Sequence, residues 1–257
     1  MSTIALALRQ ARFENRAFWR NPAAAFFTFV FPLMFLVIFN VVFGDQDIEV
    51  EGGSIDTSTF YVPAILAMSI INACFTSIAQ IIAFQRDRGV LKRLRGTPMP
   101  AVVYFAGRII QTMAVTLLLV VIVVAFGVVL YGVELQNEKL PAMVTAILIG
   151  AGAFSALGMA MTCFIPNADA APAVVNAVIL PLLFISDVFI PMENSPGWLI
   201  DLASVFPVSH LAQSMHEAFN PLTDGSGFDA KSLVVMAAWG VVGLVVAVRY
   251  FSWEPRK

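Results

Sequence analysis

The chain has 257 residues, 59% of them apolar and only 12% charged, with a mean hydropathy of +0.84. That profile excludes a soluble globular domain and marks a polytopic, all-α membrane protein. The net charge of −2 says little about partners, because the informative quantity is how charge divides between the two membrane faces.

Residues 1–22 are predicted to form an amphipathic helix lying in the membrane interface. With about 100° per residue, Ile4, Leu8, Ala11 and Phe18 share one face, while Arg9, Arg12, Arg16 and Arg20 gather on another and anchor at the inner surface. Trp19 suits the headgroup level, and Asn21-Pro22 breaks the helix before the apolar run begins. A cleaved secretory signal is not expected: the basic region is too long, and Ala23–Phe43 is long enough to span and lacks a small-residue cleavage site.

Residues 23–257 form the transmembrane domain. A bilayer core of about 30 Å needs roughly 20 apolar residues. Six spans are predicted, near Ala23–Phe43, Phe60–Phe84, Arg108–Tyr131, Pro141–Ile165, Ala173–Pro191 and Ser232–Phe251. An even number puts both termini on one side. Thirteen of the fifteen basic residues fall on that side and only Lys139 and Lys231 on the other, so both termini are expected in the cytoplasm and the chain in the inner (plasma) membrane. The opposite loops carry acid instead, from Asp45 to Asp56 and at Glu134 and Glu138.

Between the second and third spans lies Phe84 to Pro100, FQRDRGVLKRLRGTPMP, the cytoplasmic segment 84–100, with five of the fifteen basic residues. Gly89 can open a short helix, Leu91 and Leu94 fall on one side of it, and Gly96-Thr97-Pro98 stops it. A block of this kind is usually only a topogenic signal with solvated side chains, but its wording carries more pattern than retention needs. Polar residues inside the spans are few. Asn40, Asn72, Asn176, Asp187 and Phe189 are the candidates for a pathway or outer gate, although an amide in a span is more often a helix-to-helix hydrogen-bond partner. Asp187 lies close to the outer end of its span.

Ser195 before Pro196 reads as an N-cap, and Pro207 divides the stretch that follows into two short helices. The second puts Val208, Leu211, Ala212, Met215 and Phe219 on one face. Neither is long enough to cross, so residues 192–220 are predicted as an extracellular re-entrant hairpin. His210 and His216, six apart, do not stack on one helix face, and no P-loop or HExxH motif is present. Cys74 and Cys163 both sit in apolar segments and indicate neither a disulfide framework nor a metal site.

RDRGVLKRLRGTPMP followed by Gly107-Arg108 resembles the cytoplasmic signature of the type-2 ABC transporter permeases. The Arg-rich start, the Asn-Pro break and the Phe-Ile-Pro to Pro-Gly-Trp hairpin extend the resemblance over the whole chain. Asp187 stands where that family commonly has Gly, and His216-Glu217 where it often has a basic residue. The resemblance implies that Arg86, Asp87, Arg88, Gly89, Val90, Leu91, Leu94, Thr97 and Pro98 form a coupling helix that docks on an ATP-binding cassette subunit. It implies two such subunits and a second permease copy or paralogue. ATP and Mg would be bound by the partner and no cofactor by this chain, which would not itself be an enzyme. Membrane lipids are expected around it and nucleic acid is not. The substrate class implied is drug, lipid or glycan, with an amphiphilic drug or lipid favoured by the aromatic spans and a polysaccharide or glycolipid as the alternative. A channel-like or structural membrane protein without an ATPase is the rival of another class.

Overall fold

A computed structural model describes residues 2–44, 47–50, 53–186, 188–189, 195–223 and 225–254. Helix α1 (Thr3–Trp19) is capped by the Ser2 hydroxyl and leads through Asn21, whose side chain caps the next helix, into α2 (Pro22–Phe43). A hairpin of β1 (Asp47–Val50) and β2 (Gly53–Asp56) follows, with Asp47 opposite Asp56 and Ile48 opposite Ile55. These strands correct the all-helical expectation: Ile48 and Ile55 alternate with polar residues around the Gly52-Gly53 pair, the pattern of a short hairpin.

Helix α3 (Thr57–Ile71) runs through one π turn (Asn72–Thr76) into α4 (Ser77–Asp87), making one continuous apolar helix. The short α5 (Val90–Arg95) precedes α6 (Ala101–Tyr131), which starts seven residues before the span expected at Arg108. A 3₁₀ turn (Asn137–Lys139) opens α7 (Leu140–Met161), then come α8 (Ala171–Phe184), α9 (Gly197–Ala203), α10 (Pro207–Phe219) and α11 (Ala230–Tyr250).

Among the described residues five helices are long and apolar enough to cross a membrane: α2, α3 with α4, α6, α7 with its 3₁₀ turn, and α11. The fifth expected span, Ala173–Pro191, is the exception. Its regular helix, α8, covers 14 residues, about 21 Å at 1.5 Å per residue, and stops at Phe184 three residues after Pro181. Asp187 lies outside the described residues. The helix expected to start at Pro196 behind Ser195 begins instead at Gly197, with Pro196 in the cap position and no side-chain cap.

Small residues let the spans approach closely, as packing inside a membrane requires. A Cβ on Gly243 would stand 2.8 Å from the Leu157 backbone nitrogen, so α11 lies directly on α7. One on Gly158 would stand 2.7 Å from the Phe75 carbonyl, which brings α7 onto the π turn. The main core gathers α3, α6, α7 and α10. Helix α10 buries ten of its 13 residues, including Val208, Leu211, Ala212, Met215 and Phe219, so it is an internal element set among α3, α7 and α11. Two polar clasps hold it. His210 Nδ1 lies 2.8 Å from Ser232 Oγ and Nε2 2.8 Å from the Ser204 carbonyl, while Ser232 donates to Asp229 at the cap of α11. Lys139, buried, donates to the carbonyls of Glu217 and Asn220 and to Thr223 Oγ1.

Helix α1 and the residues just after α11 lie at the same end of the bundle. Helix α1 packs on the start of α6, where a Cβ on Gly107 would meet the Gln10 side chain at 2.6 Å, and Phe251 and Trp253 pack on Phe105 of the same turn. Helix α5 sits there too.

Candidate functional site

The turn into α5 is built at Gly89, whose φ of 69° is the left-handed conformation that a glycine adopts without strain. Before it, Arg86 sits in the last turn of α4 and is almost wholly buried. Its Nη1 donates to the Thr162 carbonyl at 3.0 Å, and its Nη2 donates to those of Ile165 at 2.7 Å and Pro166 at 3.1 Å. These carbonyls lie at and just past the end of α7, where helical partners run out. Asp87 accepts the Ala168 N–H through Oδ2, and its Oδ1 stands 3.5 Å from Arg86 Nε, an ion pair without a hydrogen bond. Arg86 and Asp87 therefore tie the end of α4 to the whole segment between α7 and α8.

This arrangement corrects part of the sequence reading. Leu91, expected in the helix that docks on a partner, is fully buried in its own chain in a cluster with Ile78, Ile82, Tyr104 and Met159. Leu94 is partly buried on the same cluster, and Val90 is half-buried. Arg86, expected within the docking segment, donates instead to carbonyls of its own chain. The reason is geometric: α5 is only six residues long, and its apolar side must cover the bundle end it folds back on. What α5 leaves exposed is Lys92, Arg93 and Arg95, followed by Thr97 and Pro98, with Arg88 beside them, its guanidinium 4.0 Å over the Phe84 ring.

The other candidates divide. Asn40 is a link between α2 and α3: its amide donates to Leu36 O, and its carbonyl accepts from Ser58 Oγ at 2.6 Å. Asn72, at the start of the π turn, and Asn176, on α8, are both exposed and have no side-chain hydrogen bond among the described residues. Phe189 stacks obliquely on Phe184, with ring centroids 5.2 Å apart.

One residue that mattered went unremarked in the sequence. Glu14 is the lone acid before Asp45, and it is buried where α1 meets α6, its Oε2 3.0 Å from Arg108 Nη2 and its Oε1 accepting from Gln10. A single carboxylate on the arc of Ala7 and Ala11, the side chains that pack inward, was the available signal. Arg9, Arg12, Arg16 and Arg20 are all exposed, as are Ile4 and Leu8, so α1 docks through Ala7, Ala11 and Glu14 and not through its large apolar residues. Beside the ion pair lies a cavity of about 500 Å³ between α1, α2, α4, α6 and the start of α8.

A family model described as ABC-2 type transporter matches residues 6–220, most of the chain, from the first turn of α1 through α10. The chain belongs to the ABC-2 type transporter family. The permease is 25% identical over 241 residues to the daunorubicin resistance ABC transporter permease protein DrrB1 of Streptomyces coeruleorubidus, covering 89% of this chain and 78% of that one. It is 22% identical over 228 residues to the putative transport permease ycf38 of Porphyra purpurea, covering 88% and 76%. With the probable multidrug ABC transporter permease YbhR of Escherichia coli K12 it shares 23% identity over 157 residues, 61% of this chain and 42% of that one. The family match makes this a multi-pass ABC transporter permease, a class that works with ATP-binding subunits, and five of its described helices are long and apolar enough to cross a membrane.

Proposed function

We propose that the permease forms half of the pathway of an ATP-driven exporter for an amphiphilic substrate, a drug or a lipid. Two copies, or this chain and a paralogue, enclose the path, and two ATP-binding subunits dock beneath them. The observation that carries this reading is the mechanical connection at α5. Its basic face is presented outward, its Leu91 is rooted in the bundle, and Arg86 joins its approach to the segment between α7 and α8. A push on Lys92, Arg93 and Arg95 as the ATPases close on ATP is then delivered to both neighbouring spans, because buried contacts transmit displacement instead of absorbing it.

The shared position of α1 and of the residues just after α11 supports an even number of crossings, with α8 in the sixth, and with α9 and α10 dipping in from the outside. The thirteen-to-two division of basic residues supports an α5 end on the cytoplasmic side of the inner (plasma) membrane. Helix α1 lies in that interface, Ile4 and Leu8 toward the acyl chains and its arginines toward headgroups. Asn72 and Asn176 support a pathway wall on the side of the π turn and α8: exposed amides facing lipid would be costly, so that side faces the second copy or the substrate. Drug-resistance permeases among the relatives support a drug substrate, and the apolar spans suit it.

The test is a pull-down of the tagged chain in mild detergent with assay of the eluate for ATPase activity and stoichiometry. An ATP-hydrolysing partner should copurify, and the triple variant Lys92→Glu, Arg93→Glu, Arg95→Glu should lose it while inserting normally. A chain that purifies alone under several conditions, or a triple variant that keeps its partner, overturns the reading.

A further inference from the structure

The clasp between α10 and α11 fixes where its protons are. His210 is 2% exposed, and each of its ring nitrogens stands 2.8 Å from an oxygen. Nε2 faces the carbonyl of Ser204, the C-cap of α9, which can only accept, so this nitrogen carries a proton. Nδ1 faces Ser232 Oγ, in a side chain with no exposed surface. A hydroxyl has one hydrogen to give, and Ser232 gives it to Asp229 Oδ2. Toward His210 it is therefore an acceptor, and Nδ1 carries a proton as well. A histidine that donates from both nitrogens is an imidazolium, and Asp229, one hydroxyl away, is its counter-charge.

The hydrogen count leaves little freedom. Neutral His210 beside ionised Asp229 has two hydrogens for three contacts, and one buried contact is then left without any. Moving the extra proton onto the carboxyl, with the hydroxyl turned toward Nδ1, fills all three contacts but keeps the same total. Either way the cluster binds one proton. Asp229 Oδ1 also accepts the Lys231 N–H at 3.0 Å, and Asp229 is the N-cap of α11, where the helix dipole favours the ionised form. Burial and a place in the first turn of α10 oppose a cation on His210; the nearby carboxylate and the Ser204 carbonyl offset them.

Among the described residues, the other titratable groups on α10 and the elements packed on it are engaged elsewhere. Asp201 of α9 and Lys231 of α11 are exposed, and Arg249 is in the last turn of α11. Tyr61 of α3 stacks on Phe39, His216 lies against Phe60, and Lys139 and Glu217 meet at the other end of α10. Helices α7 and α8 carry no charged residue.

We propose that Asp229, Ser232 and His210 form a buried proton-binding site that latches α9 and α10 to the start of α11. Without the proton the Nδ1 to Oγ contact loses its hydrogen and the latch loosens. The closed site keeps a proton that a histidine in water releases above about pH 6.5. The latch is therefore complete below that value and is lost as pH rises, opening by about tenfold more per pH unit while the closed site stays protonated. The site lies at the end of the bundle away from α5. Its facing the outside, and so reading external pH, rests on the orientation proposed above; the proton site itself does not.

The test uses the full chain in detergent. His210 and His216 are its two histidines, so labelling the histidine ring nitrogens for NMR gives two sets of signals, assigned with His216→Gln. Both ring nitrogens of His210 should be protonated at about pH 7.5. Asp229→Asn, which keeps an oxygen for Ser232 and removes the charge, should leave His210 neutral at the same pH. Hydrogen exchange over 204–216, corrected for the intrinsic pH dependence of peptide exchange, should rise by about tenfold per pH unit above neutrality in the wild type and stay flat in His210→Gln. A neutral His210 in the wild type, an imidazolium that persists in Asp229→Asn, or corrected wild-type exchange that ignores pH would each overturn the proposal. The first and third readouts need no variant to fold.

Discussion

Replacing Arg86 by Met removes three hydrogen bonds, at 3.0, 2.7 and 3.1 Å, from carbonyls at and beyond the end of α7, and strips Asp87 of its neighbouring cation. Charge-assisted hydrogen bonds contribute about 1.5–3 kcal/mol each, so simple addition gives a large loss. The segment can relax, and Asp87 keeps the Ala168 N–H, so the cost of breaking one buried pair, about 3–5 kcal/mol, is the better measure. If the loss is felt as local opening, amide exchange over 162–170 should accelerate by about a hundredfold to several thousandfold, with a smaller effect on α3 and α6. Arg86→Lys keeps the charge but lacks the two Nη groups that reach the three carbonyls, and it should fall between. Hydrogen exchange with mass spectrometry on the purified permease reads all three proteins. Wild-type exchange in 162–170 for Arg86→Met would mean that Arg86 does not hold that segment, and the proposed transmission from α5 to α7 and α8 would fail with it.

Leu91→Ala should destabilise the small core around α5 by about 2–5 kcal/mol and expose the Lys92, Arg93 and Arg95 bonds to trypsin in inside-out vesicles, whereas Leu94→Ala, only partly buried, should do much less. Gly243→Leu must push α11 off α7, since even a Cβ meets the Leu157 backbone at 2.8 Å; Gly152→Ala, which faces open space, should be neutral, and size-exclusion yield of monodisperse protein separates the two. Burial alone would raise the Asp229 carboxyl, but Ser232, the Lys231 N–H and nearby His210 outweigh it and hold it below the ordinary carboxylate range. Its contribution is therefore complete above the unfolded value of about 3.9 and is lost as pH falls through the lower folded value, because there the unfolded chain binds the extra proton. Thermal unfolding of Asp229→Asn should lack this acid-side slope and otherwise sit below wild type.

Composition, the lengths of the apolar runs and the asymmetry of charge were enough to read a multi-pass helical protein, because a membrane span must be a run of about 20 apolar residues wherever it packs. The Gly89 turn and the apolar face of α10 were legible for the same local reason: each depends on residues a few positions apart. Which way Leu91 faces depends on Tyr104 and Met159, 13 and 68 positions later, and no helical period contains that information. The same holds for Arg86, whose partners lie 76 to 80 residues away, and for Glu14, which needs Arg108 to be anything more than an acid among arginines. Sequence patterns record which side chains share a face; only the assembled bundle decides which face is covered, and burial then turns a charge into a fastener or a binding group.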